Sequence, residues 1–478
     1  MKKRIAILCA IVALAACNQA VPEPDPHWNG NIQVDITVGR AGVFATRATV
    51  KSAWADNDVV FVFFKGVAAP KYLELKYSSA TDTWTATERN ALAAADLAAA
   101  AEKKMTAIYL PYGSTATVAA SGTDFVFDGL SYNGFFLQAE TVGYTFDGGT
   151  LRGTLNMSAP TLSDAADRLI HFDISGFTPG HAYDLYQDQV RPLTFVKVSA
   201  DGAVTQDEGQ MGKALTGHED GAMISFSGIL DHAAVGEAVD YQFSVNDKTA
   251  SVLYTRDAGT QTVSDNKYIG IGDISSEKWT ATDYVYLGFD NAAGQKLCWA
   301  TKNLGATVVQ GEGSFGYYYA YGDINGYPLS GTFGHYTSPH DFNSNPSYSM
   351  DENNRLRPEY DAAHVALKGL WRIPTVAEGR LLKERTTQSS YTKGTAESGK
   401  TFTSAVPGFE SKSIFLPAAG YVRGTGLDEV GNIGYYWLAN HSSSRGYYFR
   451  VESNSVTPDR VTSTNKDGQT IRPVFSID

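Results

Sequence analysis

Gly394-Thr-Ala-Glu-Ser-Gly399-Lys400-Thr401 has the spacing of a loop that cradles phosphate with backbone N–H groups and one lysine. Such a loop works between a buried strand and a helix whose N-terminus faces the phosphate. Here residues 383–393 are polar apart from Tyr391, and Phe402-Thr-Ser-Ala-Val-Pro407-Gly408 downstream is β-like and broken by proline. A Gly-rich turn before a strand is therefore expected, not a nucleotide site. Gly311-Glu-Gly313-Ser-Phe-Gly316 has dinucleotide-loop spacing, but Tyr317-Tyr-Tyr-Ala-Tyr321 after it does not read as a helix, so a turn is expected there too. The nine histidines are scattered, with no H-E-x-x-H and no G-x-S-x-G. His218 beside Glu219 and Asp220 reads as a solvated loop cluster. Asp351-Glu-Asn-Asn354 offers oxygens of the kind calcium takes, and a charged surface loop is the preferred reading. No catalytic residue, metal site or cofactor is expected.

A different chemistry is available in residues 327–360. Eight of the 27 tyrosines lie between Tyr317 and Tyr360, and from Tyr327 onward no strand or helix pattern is present. A loop of this length in a compact domain is functional or disordered. Tyr336, His340, Asp351, Asn353 and Asn354 combine an aromatic ring with side chains that hydrogen-bond sugar hydroxyls, and are the candidate ligand contacts. The alternative is a long insertion packed on its own aromatics. Tyr317 to Tyr321 is expected to be core strand.

The elements that would carry this loop read as β-structure. Ile32, Val34, Ile36 and Val38 alternate with polar residues, as in a half-buried strand, and Val59 to Phe64 is a continuous apolar run of the kind buried on both faces. Asn90 to Met105 is the one Ala-rich stretch and predicts a helix. Strand patterns restart at Leu169 and continue to about Trp279 without a helical stretch, which suggests a second sandwich. After about residue 282 the composition shifts to Gly, Tyr, Asn and Ser, with short helices expected at 361–370 and 376–385. The expected organisation is a signal peptide at 1–16, a tether at 17–27, β-sandwiches at 28–165 and 166–281, and a third domain at 282–478.

Composition supports this and excludes other classes. With 43% hydrophobic and 19% charged residues the chain is globular in type. A net charge of -12 argues against a nucleic-acid partner, whose phosphates are held by Lys and Arg. The three cysteines, Cys9, Cys17 and Cys298, leave one thiol after leader removal, which excludes a disulfide framework or a Cys-based zinc site.

Lys2, Lys3 and Arg4 precede a short apolar stretch ending in Leu14-Ala15-Ala16-Cys17, which resembles a bacterial lipobox. The resemblance implies lipidation of Cys17, an outer-membrane or cell-surface address, and a membrane partner through the acyl chains. Cys298-Trp299-Ala-Thr-Lys-Asn303-Leu304-Gly305, Gly316-Tyr-Tyr-Tyr-Ala-Tyr-Gly322-Asp323, Trp371-Arg372-Ile-Pro374-Thr375 with Glu378, Phe415-Leu-Pro-Ala-Ala-Gly-Tyr421, Gly434-Tyr-Tyr-Trp437 and Ile471-Arg472-Pro-Val474 together resemble the Fibrobacter succinogenes major paralogous domain. That family is similar to the C-type-lectin-like fold and to formylglycine-generating enzymes. The enzymes' cysteine pair and the calcium lectins' E-P-N, Q-P-D and W-N-D motifs are missing, so the resemblance implies a binding scaffold and not an enzyme. Trp299, Trp371 and Trp437 are expected in the core, and Arg372 and Arg472 on buried carbonyls or carboxylates.

Thr46-Arg47-Ala48-Thr49, Trp54-Ala-Asp-Asn-Asp58 leading into Val59 to Phe64, Pro70-Lys-Tyr-Leu-Glu-Leu and Tyr109-Leu-Pro-Tyr112 resemble the fimbrillins of Bacteroidales-type pili. The implied fold is mainly β: two fimbrillin-like β-sandwiches followed by an α+β C-type-lectin-like domain. The resemblance further implies cleavage after Arg47 or Arg40, loss of the first strand, and acceptance of a strand donated by another pilin subunit. Because Ile471 to Phe475 belongs to the third domain's signature, the chain is expected to accept a strand but not donate one, which suits a pilus tip. The implied function is a cell-surface adhesin at a pilus tip that contacts a host or bacterial glycan or protein. The alternative is a stand-alone surface lipoprotein binding glycan or polymer without a pilus.

Overall fold

The computed structural model describes residues 32–40, 54–88, 91–110, 115–131, 136–160, 162, 167–187, 189–208, 213–220, 223–230, 238–262 and 267–477. The protein is mainly β. A seven-stranded sheet runs in the order Gln33–Arg40, Thr150–Met157, Leu137–Asp147, Lys104–Leu110, Val59–Phe64, Leu73–Ser78 and Thr83–Glu88. Its apolar strand Val59–Phe64 serves two cores, as a run without polar alternation must. Val60, Val62 and Phe64 enter one cluster with Leu73, Leu75 and Leu155, while Phe61 and Phe63 enter another with Phe125, Leu193 and Ile229. Leu73–Ser78 alternates buried and half-buried residues, as its sequence predicts.

The first strand lies at the sheet's edge. Gln33–Arg40 pairs in parallel with Thr150–Met157 over eight residues, Gln33 opposite Thr150 and Arg40 opposite Met157. Ile32, Ile36 and Val38 are buried in the core behind it.

The helix expected over Asn90 to Met105 is shorter. Only Ala94–Ala99 is helical, with Leu97 buried, and Met105 belongs to the strand Lys104–Leu110. That strand is bonded on both sides, to Val59–Phe64 and to Leu137–Asp147, and its side chains fill both cores. Tertiary pairing thus overrides local helix propensity.

Two sheets join stretches far apart in sequence. A four-stranded sheet runs Val204–Glu208, Leu193–Val198, Asp124–Ser131 and Thr115–Ser121, with Lys197 opposite Val126. The largest sheet runs Lys267–Asp273, Arg168–Ser175, Met223–Leu230, Leu215–Asp220, Tyr183–Gln187, Ala238–Asp247, Val252–Thr262, Thr280–Asp290, Lys296–Ala300 and Val474–Ile477. The strand Thr280–Asp290 straddles residue 281: Thr280 to Asp283 pair with Thr255 to Val252, and Tyr284 to Asp290 pair with Ala300 to Lys296. A shared core of Tyr186, Leu253, Tyr284, Trp371 and Phe475 lies against this junction. Leu370 N–H donates to Ser244 Oγ at 2.9 Å, and a Cβ on Gly369 (φ +56°) would stand 2.0 Å from that oxygen, so the close approach requires glycine.

Beyond residue 300 the sheets are small. The strands Ile433–Ser442, Arg445–Glu452 and Val456–Val461 form one of them, and Ile433–Ser442 separates two cores. Tyr436 and Leu438 face Trp299, Phe402 and Phe449, while Trp437 and Ala439 face Tyr319, Tyr321 and Ile471. The two expected helices form at Ala362–Leu367 and Val376–Glu384. Asp361 caps the first, its Oδ1 accepting from Ala363 N and His364 N while Oδ2 accepts from Ile373 N. Thr375 and Glu378 form a capping box on the second. Tyr317 to Tyr321 is core without being a regular strand. Tyr318, Tyr319 and Tyr321 are buried, but they pair only through single bridges, Tyr318 with Tyr327 and Tyr319 with Gln469, and Tyr317 is 38% exposed. Neighbouring backbone is satisfied one bridge at a time, so no ladder forms.

Candidate functional site

Residues 327–342 wrap over an aromatic floor. Phe315, Tyr318, Phe342 and Val422 are buried there, and Tyr327, Leu329, Phe333 and Tyr336 pack against them. Tyr348, Met350, Leu356 and Tyr360 pack on the neighbouring cluster of Tyr319, Tyr321 and Trp437. The loop is pinned by Phe342 N–H to Gly424 O at 2.9 Å and by the Ser330–Thr337 bridge. The loop packs on its own aromatics, and Asn353 and Asn354 are exposed.

The candidate residues occupy three places. Tyr336 is half-buried, edge-on to Phe315 (6.0 Å) and Phe333 (6.4 Å), and burial raises the pKa of its hydroxyl. His340 stacks face to face on Tyr327, with centroids 3.7 Å apart and planes 6° apart. Asp351, Asn353 and Asn354 share one tight turn, in which Asn353 and Asn354 are exposed. Asp351 Oδ1 accepts from Asn353 N and Arg355 N at 2.8 Å each, and Oδ2 accepts from Arg355 Nε at 3.1 Å. Burial pushes that carboxyl up, but these N–H groups and the guanidinium outweigh it and hold it below the usual range. The aspartate therefore shapes the turn that presents the two asparagines.

Sequence reading missed what holds this turn. Leu356 N–H donates to Ala439 O at 2.9 Å, and His441 N–H to Asn354 O at 3.1 Å. Tyr348 Oη lies 2.7 Å from His441 Nε2 and 2.8 Å from Asn465 Nδ2. These partners are 93 and 117 residues away in sequence, so no local pattern signals them.

The signature residues of the third region are structural. Arg472 is buried and donates to Asn303 Oδ1, Ala300 O, Thr301 O and Phe415 O, and burial pushes its pKa down to about 10. Arg372 grips Glu378 through both guanidinium nitrogens, Nη1 at 2.7 Å and Nη2 at 2.5 Å. Trp299, Trp371 and Trp437 are buried, and Trp437 Nε1 donates to Tyr319 O at 2.7 Å. Cys298 is buried too, and burial pushes its thiol up to about 12.

The phosphate-loop look-alike leads into the strand Gly399–Ser404, and no helix follows. Lys400 is 3% exposed and its Nζ donates to Ser389 O and Ser453 O, so it faces the interior and not a ligand. Gly311 and Gly313 take positive φ in a turn before Tyr317. Among the described residues no group of three or more His, Cys, Asp or Glu is placed to hold a metal ion, and no helix is long and apolar enough to cross a membrane. Arg40 ends the first strand; Cys17 and Arg47 lie outside the described residues.

No family model matches the chain, and no curated protein matches it. Among solved structures it is weakly similar to the fimbrial anchor protein Mfa2 from Porphyromonas gingivalis, at 10% identity and a TM-score of 0.22 over 48% of this chain and 81% of that one. It is also weakly similar to a protein described as a "putative adhesin" from Bacteroides ovatus, at 9% identity and a TM-score of 0.16 over 56% of this chain and 91% of that one. Likeness at this level decides neither fold nor role.

Proposed function

We propose that this chain is a surface adhesin of the fimbrial type, made as a precursor lipidated at Cys17 and held at the outer membrane until cleavage after Arg47, or after Arg40, frees it for assembly at a pilus tip. Residues 28–165 and 166–281 are the mount, and residues 282–478 meet a host or bacterial glycan or protein. The observation that carries this reading is the pairing of two strands. Gln33–Arg40 is an edge strand joined to the sheet along one side, so its removal uncovers the backbone of Thr150–Met157 and the apolar floor beneath it. Val474–Ile477 is committed internally, to Lys296–Ala300 on one side and at Val474 to Arg372 on the other, with Val474 and Phe475 fully buried. Such a protein accepts a strand from another subunit and keeps this one.

Ligand contact is assigned to Tyr336, His340, Asp351, Asn353 and Asn354. The test is a variant with Tyr336, His340 and Asn353 changed to Ala, which leaves the Asp351 carboxylate and its turn in place, assayed for adhesion to whole cells alongside thermal stability. Adhesion is expected to fall at least tenfold with the fold retained. Unchanged adhesion would place the contact elsewhere.

A further inference from the structure

His441, Tyr348 and Asn465 form a hydrogen-bond chain whose polarity is fixed at the Asn465 end. Gly446 N–H donates to Asn465 Oδ1 at 2.9 Å, which fixes the orientation of that buried amide. Asn465 Nδ2 must then be the donor toward Tyr348 Oη and toward Ser444 O, at 2.8 and 3.0 Å. Tyr348 Oη accepts from Asn465 and lies 2.7 Å from His441 Nε2, so its own hydrogen points at that nitrogen whenever Nε2 is unprotonated. In the neutral ring whose other nitrogen bonds the Ser444 backbone, Nε2 carries no hydrogen and accepts from the Tyr348 hydroxyl.

We infer that the His441–Tyr348 bond is an acid-sensitive latch that holds the turn at residues 348–356 against the sheet. Protonation makes Nε2 a donor, so Tyr348 Oη would face two donors and its own hydrogen would lose its acceptor. The latch joins the candidate contact loop to a strand of the core sheet, and its use in adhesion rests on the function proposed above.

The surroundings favour the neutral ring. Tyr348 (5.5 Å) and Tyr321 (5.8 Å) face it, together with Asn465 and the backbone of Ser444. Among the described residues no carboxylate pairs with it, and the nearby loop charges Arg355 and Asp351 are engaged with each other. Burial pushes the His441 pKa below 6.5, and the Ser444 backbone bond opposes this only in part. A depressed histidine keeps the latch intact above its ordinary pKa and loses it as pH falls through the folded value.

The test is hydrogen exchange in peptides covering residues 345–357, corrected for intrinsic exchange, at about pH 7.5 and about pH 5.5. In the parent protein, exchange should quicken at least about threefold at the lower pH, while peptides covering 399–417 hold steady. Tyr348→Phe should exchange fast at both values, and His441→Gln should show no pH response. A parent without a pH response, or a His441→Gln variant that responds as the parent does, would overturn the latch. His335 and His340 are present in both the parent and His441→Gln, so they cannot imitate the difference. No ligand is needed, so failure here is distinct from failure of the adhesive reading, which the cell assay scores separately.

Discussion

Arg372 and Glu378 show how a single pair organises the third region. The carboxylate is buried, receives both guanidinium nitrogens and also accepts from Thr375 N at 2.7 Å. Changing Arg372 to Ala strands that charge, and the third region should lose about 3–5 kcal/mol in denaturant unfolding. Burial pushes Glu378 up, but Arg372 pulls harder and holds it below its ordinary 4.5. A depressed carboxyl stabilises the fold above its unfolded pKa, and that stability is lost as pH falls through the folded value. Acid titration of the parent should therefore weaken the third region below about pH 4.5, and the Arg372→Ala variant should lack that step. Cys298 gives an independent probe. A thiol raised to about 12 and buried should ignore thiol reagents until the third region opens, and label in step with its unfolding. The structural roles of Arg372, Arg472 and the three tryptophans were legible in the sequence because large or charged residues in a core must find partners or bury area. The Tyr348–His441–Asn465 chain was not, because its members meet only through the fold.

At the scale of elements, alternation and apolar runs placed most strands, since the two faces of a strand separate at every residue. Propensity failed at Asn90 to Met105, where pairing on both sides of Lys104–Leu110 won. It failed again at Tyr317 to Tyr321, where burial was legible but the absence of a ladder was not. The edge strand Gln33–Arg40 carries the element-scale prediction. Trypsin acting on the folded precursor should produce a new N-terminus at Ala48 or Ala41, and the trimmed protein should bind a synthetic peptide of residues 32–40 that the intact protein ignores. If trypsin spares both bonds while cutting elsewhere, strand acceptance loses its basis.

Across the whole molecule the sheets do not stop at the boundaries suggested by composition. The four-stranded sheet joins residues 115–131 to 193–208, and Thr280–Asp290 is shared along its length. Composition changes near residue 282, yet a strand's pairing partners are not written in its composition, so this continuity was invisible beforehand. A fragment of residues 282–478 lacks the partners of Leu370, Tyr284 and Asp283, and should melt roughly 5–10 °C below a fragment of residues 166–478, as a loss of about 2–3 kcal/mol gives in a chain of this size. Force on the third region would thus pass into the second through bonded strands and not a flexible linker. The most direct test of the adhesin reading is gold-labelled antibody against residues 282–478 on intact piliated cells. Label concentrated at the distal ends of fibres is the predicted result, and label spread evenly along fibre shafts would contradict it.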